Sequence, residues 1–360
     1  MKIIVFSPTS TILTLEPDQP LGGADSGLLR MIEELGIYHE VIAFVPVKKM
    51  SSGVGETVFI PFEQIFDLDL ECDLFIHYRK VWVIPNNIHY KTAVFYSQDT
   101  VDTPCFSGLK GSRNVFDVYS RIWVLSEFHK QNMKEMFDIP DEKFFILGNA
   151  ADPQPIAIKK PLQFIYASTP FRGLDVLLKA WTFIIEKYPE ATLHIFSSMK
   201  IYGAEQLDDL HFGKMFNDMK NGRFKGLVFH GTQSQKEMLK YMNTSFMLLY
   251  PNTYPETFCN VIMEARACRT PFITTDLGAL RETGFKAGCY IEGNARTHEY
   301  LQKFLDILDF IIKDDNFYKF LQNGCYPIRT FEDYKEDLLS EINKIKSGLI
   351  GFGFEDDGRE

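Results

Sequence analysis

The sequence contains no apolar run near the roughly 18 residues that a membrane-spanning helix requires. Cysteine is sparse. The six, Cys72, Cys105, Cys259, Cys268, Cys289 and Cys325, form no Cys-x-x-Cys pair, and most lie in apolar or helical surroundings. They read as reduced thiols in a cytosolic-type compartment. Positive charge is in deficit, with 38 Lys and Arg against 48 Asp and Glu, a net charge of −10. This balance argues against nucleic acid or an anionic membrane as a general partner, although a local basic pocket for phosphate can sit inside an acidic protein. The eight His include no His-Glu-x-x-His and no closely spaced metal pair. His77, His129 and His194 are expected to be structural. No Gly-x-Gly-x-x-Gly follows the first apolar stretch, and no Gly-x4-Gly-Lys-Ser/Thr or Gly-x-Ser-x-Gly occurs. A dinucleotide oxidoreductase, a P-loop NTPase and a serine hydrolase are therefore without support. The start, Met1-Lys2-Ile3-Ile4-Val5-Phe6, lacks a small-residue cleavage site and reads as a first strand, not a signal peptide.

What is present is ordinary globular composition over a length that suggests two domains: 360 residues, 45% hydrophobic and 24% charged, with 32 Phe. Short β-rich runs alternate with longer helical patterns. Lys2–Phe6, His39–Val45, Asp73–His77, Thr92–Tyr96 and Arg121–Val124 read as buried parallel strands, with a helix at Ser26–Leu35. A second series runs through Leu162–Ala167, Thr192–Phe196, Leu227–His230, Phe246–Tyr250 and Pro271–Thr274. Repeated βαβ units predict an α/β fold with two doubly wound, Rossmann-like parallel sheets. Leu174, Leu177, Leu178, Trp181, Ile184, Ile185 and Tyr188 form one apolar helical stripe, read as core, and Pro189 ends the helix. Pro153, Pro155 and Pro161 mark a linker. The expected domains are 1–155 and 156–330, followed by an amphipathic helix over 331–347 and a frayed tail over 348–360.

The most informative segment is Tyr250-Pro-Asn-Thr-Tyr-Pro-Glu256-Thr257-Phe258-Cys259-Asn260-Val-Ile-Met-Glu264. An apolar strand leads through a Pro-bounded turn into a helix expected to begin near Phe258. A helix start offers backbone N–H groups and a positive dipole end, which suit phosphate. Glu256 stands just before that start and Glu264 lies eight residues on. A lone Asp67-Leu68-Asp69 is expected to be a solvated loop and not a metal motif.

This block resembles the Glu-x7-Glu signature of retaining GT-B glycosyltransferases of the GT4-like group (glycosyl transferases group 1). Collinear features agree: Gly22-Gly23-Ala24-Asp25, Val124-Leu125-Ser126-Glu127-Phe128, Gly148-Asn149-Ala150-Ala151-Asp152, Phe171-Arg172-Gly173-Leu174 and His230-Gly231. The resemblance implies a nucleotide-sugar donor, with UDP or GDP, held by the C-terminal domain, and a glycan or glycolipid acceptor on the N-terminal domain. The site would lie where the carboxyl ends of the two sheets face each other. Glu264 would bind the ribose, and Glu256 the donor sugar. Thr257, Phe258, Cys259 and Asn260 would surround the diphosphate, and Arg172 would neutralise it. Gly22 and Gly23 would allow close backbone approach, and the base would rest against the loop after His230-Gly231 or near Ser197-Ser198-Met199. No metal and no other cofactor is implied.

Two departures stand out. The second basic residue of the phosphate clamp is missing, so Ser168, Thr169 and Arg172 carry it. Gln98 occupies the place of an acceptor-side His, which makes Asp99 the third candidate catalytic residue beside Glu256 and Arg172. The last helix would return to the N-terminal domain. Its Lys335, Lys344 and Lys346 are outnumbered by acids, so it presents no membrane-docking face; peripheral membrane association through another surface stays open. The rival readings are a nucleotide-binding scaffold without turnover, or a GT-B epimerase or phosphorylase.

Overall fold

The structure, a computed structural model, describes residues 1–9, 12–16, 19–109, 112–202, 204 and 206–350. The expected tail thus lies mostly outside the described residues. The chain divides into two compact units: Met1–Thr14, Gly23–Gly148 and Glu332–Glu360 in the first, Leu15–Gly22 and Asn149–Phe331 in the second.

The first unit comprises β1 (Lys2–Phe6), α1 (Gly23–Tyr38), β2 (Glu40–Val45), β3 (Ser51–Ser52), β4 (Thr57–Pro61), β5 (Leu70–Tyr78), β6 (Ile88–Tyr96), β7 (Arg121–Val124), α2 (Glu127–Phe137) and β8 (Phe144–Ile146). The strands form one sheet in the order β3-β4-β2-β1-β5-β6-β7-β8. All pairs are parallel except the short β3–β4 edge. Ile3, Ile4, Val5 and Phe6 are all fully buried, as a central strand covered on both faces requires. Phe6, Phe44, Phe75, Phe95, Phe106 and Phe116 share one core cluster. β5 and β6 each begin earlier than the expected Asp73 and Thr92. Their amino-terminal halves alternate, exposing Glu71, His89 and Lys91, so a search for buried apolar runs misses them.

The second unit comprises β9 (Lys160–Ala167), α3 (Leu174–Lys187), β10 (Thr192–Phe196), α4 (Gln206–Lys220), β11 (Leu227–Phe229), α5 (Gln235–Thr244), β12 (Ser245–Tyr250), α6 (Asn260–Ala267), β13 (Phe272–Thr275), α7 (Leu280–Gly284), β14 (Gly288–Ile291), α8 (His298–Lys313) and α9 (Asp315–Asn323). Its six strands run parallel in the order β11-β10-β9-β12-β13-β14. Leu174, Leu177, Leu178, Trp181 and Ile184 on α3 are buried in the core, with Ile185 and Tyr188 packed against it. The Pro-rich approach to β9 is pinned by Lys159, whose Nζ donates to the Asn243 and Cys268 carbonyls and to Thr270 Oγ1 at 2.6–2.9 Å. Burial of this ammonium pulls its pKa down to about 8.

α10 (Phe331–Lys346) follows, and from Glu332 it groups with the first unit. Its buried Glu341 accepts from Arg121 Nε at 2.9 Å. Among the described residues no helix is long and apolar enough to cross a membrane.

Candidate active site

In a doubly wound sheet, ligands bind beyond the carboxyl ends of the strands, where crossover loops diverge. In the second unit the loop after β9 is Ser168-Thr169-Pro170-Phe171-Arg172-Gly173, and the loop after β12 is Pro251 to Cys259. β9 and β12 are neighbours, so the two loops emerge side by side. Gly173 fastens one to the other. Its φ is +96°, and a Cβ there would lie 2.0 Å from the Pro251 carbonyl oxygen. Thr253 Oγ1 adds a hydrogen bond to the Phe171 carbonyl at 2.9 Å. Within the second loop, Asn252 Oδ1 accepts from the Tyr254 N–H at 3.0 Å, the side-chain turn that Asn favours.

This scaffold brings Arg172 and Glu256 together. Arg172 Nε lies 3.1 Å from Glu256 Oε1, and the contact is an ion pair rather than an aligned N–H···O hydrogen bond. The guanidinium sits 5.3 Å from the Phe171 ring and 5.2 Å from the Tyr254 ring, where ring quadrupoles add attraction. Glu256 is buried, and Tyr250 Oη donates to its Oε1 at 2.8 Å. Burial raises the Glu256 carboxyl above its ordinary pKa, while Arg172 and the Tyr250 hydroxyl oppose that rise. Ser168 Oγ lies 3.4 Å from Tyr250 Oη, and the buried Thr169 offers its carbonyl to Tyr166 Oη at 2.8 Å. On the far side, the Glu256 carbonyl accepts from Ala279 N at 2.8 Å. Gly278 makes that approach feasible, since a Cβ there would come 2.6 Å from the Glu256 oxygen.

α6 begins two residues later than expected, at Asn260, with Cys259 as N-cap and no side-chain cap. The helix starts late because Cys259 keeps an extended backbone (φ −113°) and its N–H is drawn to Thr283 Oγ1 at 3.4 Å. One of the expected backbone donors is therefore already engaged. Thr257 and Cys259 are buried, and Phe258 packs against a small cluster with Ala151 and Met263. Asn260 Oδ1 accepts from Asn149 Nδ2 at 2.9 Å.

Glu264 lies on α6, half-buried, and its Oε1 accepts from Gln235 Nε2 at 2.6 Å. Burial pushes its pKa up to about 7, which the Gln235 hydrogen bond only partly offsets. Between the unfolded pKa near 4.5 and about 7, the native state keeps a proton that the unfolded chain has lost. Stability from this group is thus fully present at low pH and declines as pH rises through 7. Glu264→Gln is accordingly expected to raise the melting temperature relative to the parent at pH 8, with the gain shrinking toward pH 5. A gain of equal size at both pH values would contradict the assignment. Gln235 escaped attention in the sequence, although Ser234-Gln-Lys-Glu237 carries the Ser-x-x-Glu pattern of a helix start. Ser234 Oγ does accept from Glu237 N, at 3.3 Å.

The loop after β11 holds His230 and Gly231. Gly231 has φ +66°, and its carbonyl accepts from Ser197 N at 3.1 Å. His230 stacks on Phe196 at 4.3 Å and pairs with His194 at 2.9 Å, so both imidazoles serve the aromatic packing.

The remaining expected residues lie on other elements. Gly22 groups with the second unit, and Gly23 opens α1 in the first. Tyr78 Oη donates to the Ala24 carbonyl at 2.7 Å, tying the α1 start to the end of β5. Asp99 is in the first unit, where Arg79 Nε donates to its Oδ2 at 2.7 Å and Cys105 Sγ lies 3.2 Å from the same oxygen. Burial alone would raise the Asp99 pKa, but Arg79 holds it below the ordinary carboxylate value. Arg79 also faces the buried Asp25 at 3.8 Å and adopts φ +71°, a left-handed backbone rare outside glycine. Arg79 was not singled out from sequence, and Asp25 only as the last residue of the Gly22-Gly23-Ala24-Asp25 feature, because their proximity depends on the pairing of β5, β1 and β6. His77 and His129 are buried, bonded to Tyr119 Oη at 2.7 Å and Ser97 Oγ at 2.9 Å. Asp69 is exposed and pairs with His89 at 3.2 Å, which suits a solvated loop.

Residues 163–309 match the family model described as glycosyl transferases group 1. No curated protein sequence matches the chain. Among solved structures, sucrose-phosphate synthase from Thermosynechococcus elongatus superposes with a TM-score of 0.69 at 12% identity, covering 96% of this chain and 99% of that one. WaaG, a glycosyltransferase involved in lipopolysaccharide biosynthesis, gives 0.64 at 13% identity, covering 98% and 100%. HepE from Anabaena, in complex with UDP-glucose, gives 0.62 at 15% identity, covering 97% and 99%. At these identities the likeness is one of fold: the two Rossmann-like units are those of the GT-B architecture.

Proposed function

We propose that this protein transfers a sugar from a UDP- or GDP-sugar to a hydroxyl of a glycan or glycolipid acceptor, with retention at the anomeric carbon and without a metal ion. The observation that carries this reading is the Glu-x7-Glu segment. Its first Glu is paired with Arg172 beside the α6 start, and its second projects from the same helix toward Gln235. The family match over 163–309 includes every one of these residues, and HepE is a neighbour in fold whose structure holds UDP-glucose.

In this reading the second unit holds the donor. The diphosphate meets Arg172, Ser168, Thr169 and the α6 start with Thr257, Phe258, Cys259 and Asn260. These groups stabilise the charge that develops as the C1–O bond to phosphate breaks. Glu256 orients the sugar, Glu264 accepts from the ribose hydroxyls, and Gly231 lies under the base. Gly22 and Gly23 leave room for backbone approach. The acceptor oxygen bonds C1 on the face the phosphate leaves, and its proton passes to the departing phosphate oxygen. Asp99, held ionised by Arg79, is the acceptor-side group.

A thermal-shift panel of UDP, GDP, dTDP, ADP and CMP, with and without EDTA, tests the donor site. A ligand at 100 times its Kd stabilises by about 2.7 kcal/mol. A shift confined to one base, unaffected by EDTA and lost in Glu264→Ala, is the expected result. Because the ionised carboxylate is the better acceptor, that shift should weaken as pH falls below about 7. No shift with any nucleotide would remove the donor-site reading. The Arg172–Glu256 pair also favours one rival, since the cation is already neutralised within the protein. Nucleotide binding with neither transfer nor donor hydrolysis would select a nucleotide-binding scaffold.

A further inference from the structure

One face of the first sheet is covered by less than the helical layer that a parallel sheet ordinarily receives. β5 and β6 pair in parallel from Leu70↔Ile88 to Tyr78↔Tyr96. The chain must therefore return along the strand, about 26 Å, before β6 can start. Only residues 79–87 connect the two strands. A helix of that length would cover about 14 Å, and a parallel crossover ordinarily takes a dozen or more residues. The connection is drawn out as an extended strap. Val81 and Ile84 pack down on the core cluster of this face, and Pro85 is buried. Asn87 Nδ2 donates to the Ile65 carbonyl at 2.7 Å and to that of Leu68. Between these anchors Trp82 and Val83 are left 43% and 77% exposed.

The β4–β5 connection lies on the same face. Its 3-10 helix, Phe62–Asp67, buries Ile65 in the same core cluster and sets the Phe66 ring 6.5 Å from that of Phe6. Phe66 and Leu68 are nevertheless exposed. The surroundings are acidic. Glu63, Asp67 and Asp69 are exposed, and no Lys or Arg occurs over residues 62–69. On the strap, Arg79 is occupied by Asp99 and Asp25. That leaves Lys80, whose Nζ lies 4.7 Å from the Trp82 ring.

We propose that this face is a docking surface for an amphipathic helix of a partner protein whose apolar stripe is flanked by Lys or Arg. Such a helix supplies the layer that the strap and the 3-10 helix do not. Its stripe covers Phe66, Leu68, Trp82 and Val83, and its cations meet Glu63, Asp67 and Asp69. An anionic membrane would face these carboxylates with the same sign of charge. A second copy would set two chains of net charge −10 against each other. The inference stands apart from the donor-site reading and needs no nucleotide to test it.

Trp82 reports on this surface directly. The chain has three Trp, and Trp123 and Trp181 are fully buried, so acrylamide quenching of indole fluorescence reads Trp82. The full-length protein is titrated with a Trp-free amphipathic Leu/Lys peptide, with its Leu/Glu counterpart, and with phosphatidylcholine/phosphatidylglycerol vesicles. The expected result is protection of Trp82 by the Leu/Lys peptide alone. Val83→Ser should weaken that binding about 10-fold, the worth of one buried aliphatic side chain, at an unchanged melting temperature. Neutralising Glu63, Asp67 and Asp69 together, as Gln, Asn and Asn, should flatten its salt dependence. Absence of protection by the Leu/Lys peptide would overturn the proposal, as would equal protection by the Leu/Glu peptide or parent-like affinity in Val83→Ser. Protection by vesicles without protection by the peptide would assign the face to a bilayer instead. Protection that grows with protein concentration alone would assign it to a second copy.

Discussion

Arg172→Met is expected to reduce sugar transfer by about 10²- to 10³-fold, the usual consequence of removing one preorganised group that faces developing charge. The same substitution should destabilise the unliganded protein, because Glu256 is left buried without its counter-charge. Removing one partner of a buried pair costs about 3–5 kcal/mol, and the part-exposure of Arg172 places the expected loss near the lower end. The loss should depend on pH. The Glu256 pKa, already raised by burial, climbs further without Arg172. The penalty is therefore small where Glu256 is protonated and grows as pH rises through that value. Denaturant melts from pH 5 to pH 9 read this directly. Adding Glu256→Gln to Arg172→Met should restore most of the stability and none of the activity. A double variant no more stable than Arg172→Met would show that the pair is not energetically coupled.

Gly173→Ala is expected to damage the site more than any conservative surface change. Alanine at φ +96° is strained, and its Cβ would meet the Pro251 carbonyl oxygen at 2.0 Å. Left-handed backbone costs a non-glycine residue about 1–2 kcal/mol, and overpacking against backbone typically adds about 1–3 kcal/mol. The loop after β9 must then part from the loop after β12, carrying Arg172 away from Glu256. The expected outcome is a loss of about 3 kcal/mol or more in stability, together with loss of nucleotide-induced thermal shift. Circular dichroism should remain close to that of the parent, because the strands and the turns of α3 beyond its N-cap, Gly173, keep their own hydrogen bonds. Normal nucleotide binding in this variant would mean that the contact between the loops does not organise the site.

Much of this arrangement was legible in one dimension. Strands buried on both faces announce themselves as apolar runs, so β1, β7 and β12 were located to within a residue or two, and so was β10, although Thr192 and His194 interrupt its run. α3 was equally plain, since its stripe and Pro189 define it without reference to anything distant. Short or mixed elements were not legible: β4, β8 and β14 carry three to five residues each and no clean period. The spacing of Glu256 and Glu264 was readable as a motif. That Glu256 would be bonded to Tyr250 and Arg172, and Glu264 to Gln235, was not, because those partners converge through strand pairing.

The α/β class, the repetition of βαβ units and the place of the acidic motif after an apolar strand follow from local periodicity and turn chemistry, which act over a few residues. The pairing of charges depends on which strands become neighbours. Setting β9 beside β12 lets Gly173 touch Pro251 and puts Arg172 against Glu256, and setting β5 between β1 and β6 brings Arg79 to Asp99 and Asp25. Burial then sets the protonation of these groups, since the cost of charging a carboxylate depends on the atoms packed round it and not on its neighbours in the chain.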